Sequence, residues 1–288
     1  MGSLFKLVIL ALFGAFALPT LALAAEGGVS PKAYELFKLG PVTVTNSMVT
    51  TWAIGLIIIV VVRVMVASPK LIPSKGQAVV ESVALWVQDI MEPIIGHKVF
   101  PKVFPLLVTL FVFILLNNWS GLMPGVGAFG FYDGSTLEYF FRPANSDLNT
   151  TIALACVAML AWLYFVIRYA GLGVLIHEVF GNKADKRETP KPLFAFLGGV
   201  FFLVGIIELV SIAIRPVTLS MRLYGNIFGG ERLLDTMVSR TVDVFFIPVA
   251  MPFYLLETLV GLIQALVFTL LVAVYIGLVC NHEEGEHH

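Results

Sequence analysis

Residues 193–230 read LFAFLGGVFFLVGIIELVSIAIRPVTLSMRLYGNIFGG, an apolar run of 38 residues. At about 1.5 Å per residue it would make a helix about 55 Å long, far more than the roughly 30 Å of a bilayer's hydrocarbon layer. A second run, Val244 to Val279, raises the same problem with 36 residues. Each run either folds into two spans about a turn, with Pro216 and Pro252 as the candidates, or crosses once as a strongly tilted helix packed on other protein. The single helix is favoured. A polar turn would need a cluster of Gly, Asn, Asp or Pro in mid-run, and an isolated proline is tolerated inside a membrane helix.

Outward from these runs, Met48 to Ala67, Phe104 to Met123 and Leu148 to Ile167 are apolar stretches of ordinary spanning length, which lipid forces into helices because it offers the backbone no other partner. The 288 residues are 58% hydrophobic and 13% charged, with a mean hydropathy of +0.93. Soluble domains run at roughly 45–50% and 25%. An all-α polytopic membrane protein is expected. It would have about five membrane helices after a signal-like segment, the last two long, strongly tilted and paired as an antiparallel hairpin. Between the first two spans, Val79, Val83, Trp86, Val87 and Ile90 recur at helical spacing opposite Gln77, Glu81, Gln88 and Asp89. That is an amphipathic helix for the cytoplasmic interface or for another subunit.

The chain begins with Lys6 and an apolar run from Leu7 to about Leu23, then ALAA and Glu26. This is the pattern of a cleaved secretory signal over residues 1–25, leaving one membrane domain over residues 26–288. A retained first span is the alternative. The loop from Ser68 to Lys102 carries Lys70, Lys75, Lys98 and Lys102, and the loop from Arg168 to Lys191 carries Arg168, Lys183, Lys186, Arg187 and Lys191. Between Pro124 and Asp147, Arg142 is the single basic residue. The positive-inside rule places the first two loops and the C-terminus in the cytoplasm and the third loop outside, in agreement with an exported N-terminus. Cys156 and Cys280 lie in apolar runs and are read as unpaired small hydrophobes. The histidines of the terminal HEEGEHH are read as a solvated tail, and no metal or other cofactor and no nucleic acid is expected.

Charges inside the long runs carry the chemistry. Glu208, Arg215 and Arg222 follow one another at steps of seven, which puts them on nearly one helix face, drifting by about 20° per step. A central Arg costs at least about 2.5–3.5 kcal/mol, so such residues usually face protein, water or an ion path. Arg215 reads equally as a structural charge, snorkelling or paired with a lipid or an acid, and as part of that path. Arg222 has Asn226 one turn away and no carboxylate within four positions, so its counter-charge is expected from outside its helix. Arginine keeps its proton at any accessible pH, which makes this a permanent positive charge. The second long run carries one acid, Glu257, and one amide, Gln264. If the two helices are antiparallel neighbours with Arg222 level with Gln264, Glu231 and Glu257 fall at similar depth and can share protons. Alternatively, Glu231 ends its helix in solvent with Arg232 and Asp235.

The run RPVTLSMRLYGNIFGGE, Arg215 to Glu231, closely resembles the signature of the F-type ATP synthase subunit a family around its essential arginine. LFVFILLNNWSGLMPG (Leu110 to Gly125), DLNTT (Asp147 to Thr151), IIELVS (Ile206 to Ser211) and QALVFTLLVAVY (Gln264 to Tyr275) resemble further motifs of that family. The resemblance covers about Trp52 to Val279. It implies that Arg222 is the essential arginine, that Asn226 and Gln264 are its polar neighbours, and that Glu208, Glu231 and Glu257 line two ion half-channels. In some members the positions of Glu231 and Glu257 hold a histidine and an acid; here both are acids. The resemblance further implies a non-catalytic subunit of a bacterial plasma (inner) membrane complex, partnered by a c-ring, b-type peripheral stalk subunits and lipid, and moving H+ or Na+. No glycine-rich phosphate loop occurs, so nucleotide chemistry is not expected in this chain. A self-contained secondary transporter would show internal repeats, and none is evident. A purely structural assembly subunit would leave the interior charges unexplained.

Overall fold

The computed structural model describes residues 34–39, 42–123, 130–133, 136–139, 142–180, 191–243 and 250–280. The signal-like segment, residues 1–25, lies outside them. Seven α-helices are present among the described residues: α1 (Asn46–Met65), α2 (Lys75–Ile95), α3 (Phe100–Ser120), α4 (Leu148–Tyr169), α5 (Gly171–Phe180), α6 (Lys191–Asp243) and α7 (Ala250–Cys280). Five of them contain stretches long and apolar enough to cross a membrane: Asn46–Met65, Phe100–Ser120, Leu148–Tyr169, Phe196–Leu234 and Met251–Cys280. The chain is a multi-pass α-helical membrane protein.

Neither long run turns within its described residues; residues 244–249 of the second lie outside them. α6 is one helix of 53 residues with Pro216 inside it, and α7 is one helix of 31 residues. Pro252 falls in the first turn of α7, where a backbone N–H has no helical acceptor and its loss is harmless. Pro216 is in mid-helix. It cannot donate to the carbonyl of Ile212 four residues earlier, and its ring crowds that same carbonyl.

Two antiparallel hairpins were not anticipated from the sequence. β1 (Glu35–Leu39) pairs with β2 (Val42–Thr45), and β3 (Gly130–Asp133) with β4 (Thr136–Tyr139). Both fall outside the apolar runs, where water can serve the free strand edges.

The amphipathic helix α2 starts at Ser74, whose side chain accepts from the N–H of Gln77, and stops at Gly96, whose φ of 87° favours glycine. Its buried apolar line is Val87, Met91 and Ile95, whereas Val79 and Trp86 are exposed. The buried face is therefore rotated from the one the periodicity suggests. Gln77, expected on the polar face, is buried because its amide exchanges two hydrogen bonds with the backbone of Lys70, at 3.1 and 2.9 Å.

The chain forms two compact units. The first takes the residues up to Ile58, Phe113–Thr150 and Tyr224–Gln264. The second takes Ile59–Val112, Thr151–Leu223 and the residues from Ala265 onward. In the first unit, α3 meets α7 at Gly261, where an added Cβ would lie 3.2 Å from the Cβ of Asn118 and 3.3 Å from Cδ1 of Trp119. Two hydrogen bonds fix that crossing, from Asn118 Nδ2 to Gly261 O at 2.9 Å and from Trp119 Nε1 to Thr258 O at 3.0 Å. In the second unit, α2 meets α7 at Gly277, where an added Cβ would collide with the carbonyl of Ile94. There Trp162 of α4 donates its indole N–H to Tyr275 O of α7 at 2.8 Å.

Candidate functional site

In the second unit Arg215 is enclosed by its own chain. Its Nη2 lies 2.9 Å from Glu208 Oε1, and its guanidinium sits 4.3 Å from the ring centroid of Tyr275 and 5.9 Å from that of Trp162. The seven-residue spacing puts Glu208 and Arg215 on one face as expected, and of the readings open for Arg215 the geometry selects a pair with an acid, which is Glu208. Two turns further along α6, Arg222 is exposed. No hydrogen bond or ion pair joins it to any described residue.

In the first unit α6 and α7 run antiparallel. Asn226 Nδ2 donates to Gln264 Oε1 at 2.7 Å. The residue opposite Gln264 is thus Asn226, one turn beyond Arg222, and the expected register of Arg222 with Gln264 shifts by that turn. The shift brings the carboxyl group of Glu257 against Gly230, so closely that a Cβ on Gly230 would overlap it. Only glycine, at the residue next to Glu231, leaves Glu257 this place. Glu257 is buried and Glu231 is partly buried. The reading in which Glu231 merely ends its helix in solvent does not hold, for α6 continues to Asp243. Arg232 stacks on Phe228, with its guanidinium 5.3 Å from the ring centroid.

The loop residues before α4 add a group that the sequence reading missed. Arg142 is buried, with Nη2 3.9 Å from Glu231 Oε2. Its Nε–H donates to Ser146 Oγ at 2.9 Å. Asn145 Nδ2 donates to Asn118 Oδ1 at 2.7 Å, and Asn118 in turn holds the backbone of Gly261. Ser47 Oγ donates to Asp147 Oδ2 at 2.7 Å, tying the start of α1 to the start of α4. One clue to Arg142 was legible: it is the lone basic residue in a loop that the positive-inside rule places outside. The clue to Asn117 and Asn118 was a polar pair closing an apolar span.

Three buried side-chain atoms of this unit, Asn117 Oδ1, Asn145 Oδ1 and Gln264 Nε2, have no hydrogen-bond partner among the described residues. Buried polar atoms of this kind ordinarily pair with ordered water. Carboxylates, amides and one guanidinium thus share the interior of a protein whose helices are otherwise built for lipid.

Fold and site together define a polytopic helical membrane protein that keeps ionisable groups inside its spans, the arrangement of a protein that handles ions. The family model described as ATP synthase A chain matches residues 48–277, and the chain belongs to that family. It is similar to ATP synthase subunit a of Moorella thermoacetica, 32% identical over 84% of this chain and 94% of that protein. It is also similar to ATP synthase subunit a 2 of a Bradyrhizobium species, 31% identical over 84% and 92% of the two chains. The corresponding subunit of Gloeobacter violaceus is 30% identical over 87% and 90%.

Proposed function

We propose that this chain is the ion-translocating subunit of the membrane sector of a bacterial ATP synthase, working against a rotating c-ring with Arg222 as its fixed charge. The observation that carries this reading is Arg222 itself, a permanent cation on the exposed surface of an apolar span with no ion pair to an acid among the described residues. A charge so placed costs several kcal/mol unless a partner supplies the counter-charge. A carboxylate on the ring is such a partner.

In this mechanism an ion, here a proton, enters one aqueous half-channel, neutralises a ring carboxylate, travels with the ring and leaves through the second half-channel. Arg222 stands between the two paths. It favours the ionised form of each arriving ring carboxylate, so the ion is released there, and its charge opposes direct passage from one path to the other. The polar cluster of Glu231, Glu257, Asn226 and Gln264 is the first path, and the amide nitrogen of Gln264, without a hydrogen-bond partner among the described residues, favours water within it. Glu208 lies on the second. Each elementary charge that crosses 100 mV yields about 2.3 kcal/mol, so several must pass for each ATP made by the soluble head. The chain itself does no nucleotide chemistry. The b-type stalk subunits hold it against the ring, and its C-terminus lies in the cytoplasm.

Arg222→Ala tests the reading in reconstituted complexes. ATP-driven pumping is expected to vanish while the complex still assembles, and pumping at the unsubstituted rate would overturn the assignment.

A further inference from the structure

We infer that Arg215 is a positioning residue that splints α6 across the weak point at Pro216 and so sets the orientation of Arg222. The inference rests on the reading of Arg222 given above and concerns how its place is held. Pro216 deprives the Ile212 carbonyl of its helical donor, and this is where sharp kinks in helices arise. Packing does not back the helix there. Ile212 and Pro216 line an open apolar cleft of about 370 Å³, shared with Cys156, Met159, Leu160 and Trp162 of α4 among others.

Arg215 spans that gap with polar contacts. Its guanidinium reaches back two turns to Glu208, on the far side of the missing hydrogen bond, at 2.9 Å. It also lies 4.3 Å from the centroid of the Tyr275 ring. That ring is held in turn, since Tyr275 O accepts the indole N–H of Trp162. Three helices, α4, α6 and α7, therefore converge on one side chain that is 16% exposed. A planar guanidinium can pair with a carboxylate at its edge while stacking on an aromatic ring with its face, which an ammonium cannot do. Fixing α6 at Arg215 fixes the direction of Arg222, seven residues and nearly two full turns later.

The test uses the assembled complex in inverted membrane vesicles, with ATP hydrolysis and ATP-driven proton uptake measured together and the amount of assembled complex read on native gels. Arg215→Gln is expected to lower the ratio of uptake to hydrolysis about tenfold, the scale of a small misplacement of a reacting group. Arg215→Lys, which keeps the charge but loses the stacking plane, should fall between. Adding Pro216→Ala restores the missing backbone donor and should recover at least about half of the ratio in the Arg215→Gln background. A variant that merely assembled poorly would lose uptake and hydrolysis in proportion. If Arg215→Gln does not assemble, Tyr275→Leu, which removes the stacking surface alone, must show the same fall and the same recovery. An unchanged ratio, or no recovery with Pro216→Ala, overturns the inference. Should Arg222→Ala abolish pumping while these variants behave like the unsubstituted chain, the inference alone fails; should Arg222→Ala pump normally, the functional reading fails first.

Discussion

The two compact units hold charge in opposite ways. In the second unit the Arg215 pair is closed: a carboxylate and two rings belonging to the same chain surround the guanidinium. In the first unit part of the polar set is left open. Glu257 rests against the bare backbone of Gly230, and an amide oxygen of Asn117 and an amide nitrogen of Gln264 have no hydrogen-bond partner among the described residues. A closed cluster specifies geometry, since each group's preferred partner is already in place. An open cluster costs stability and is retained where it exchanges protons or water. Substitution should therefore act through the geometry of α6, and so through the orientation of Arg222, in the closed cluster, and through the exchange of protons and water in the open one.

The largest effect is expected where the open cluster is closed by force. Gly230→Val must push the Glu257 carboxylate out of its place, and proton transport should fall by about tenfold or more with the complex still assembled. A variant that assembles and transports normally would mean that the position of Glu257 has no part in the path. Next, Glu231→Gln and Glu257→Gln combined should depart from the sum of their separate effects on transport by about 0.5–3 kcal/mol, as neighbours within one network do. Strict additivity would place them at separate sites. Asn118→Ala removes the hydrogen bond to Gly261 and strands the Asn145 amide, and should cost about 1–3 kcal/mol in thermal unfolding of the purified protein. The smallest change is expected from Trp162→Phe, which keeps a ring beneath Arg215 and loses one hydrogen bond, about 1 kcal/mol of stability. If Trp162→Phe lowered uptake relative to hydrolysis as far as Arg215→Gln does, the indole hydrogen bond rather than the stacked ring would be what closes the cluster.

Much of the fold was legible because the signals are local. A run of about 20 apolar residues sets the length of a span, and the absence of a polar turn around Pro216 keeps α6 in one piece. The shared face of Glu208 and Arg215 was legible for the same reason, since seven residues is a fixed distance along a helix, whereas their pairing was seen only in the structure. The first unit was less legible. Asn118 and Gly261 are 143 positions apart, and nothing in the periodicity of either helix says that they meet. The register of α6 against α7 was off by one turn because it was anchored on Arg222, whereas side-chain chemistry pairs amide with amide. Arg142 escaped notice as a site residue because its acid, Glu231, sits on a helix distant in sequence. The buried face of α2 was misjudged through Gln77, whose polar atoms are satisfied by the backbone of Lys70 rather than by water.

The indole hydrogen bonds have one more use. Of the four tryptophans in the chain, Trp52 and Trp86 are exposed. Trp119 and Trp162 each donate to a backbone carbonyl of α7, one within each compact unit. Emission from an indole is sensitive to such a bond and to the polarity around it. Retaining Trp119 alone or Trp162 alone would give the protein an intrinsic optical reporter for the seating of α7, read separately in the unit with the open cluster and in the unit with the closed one.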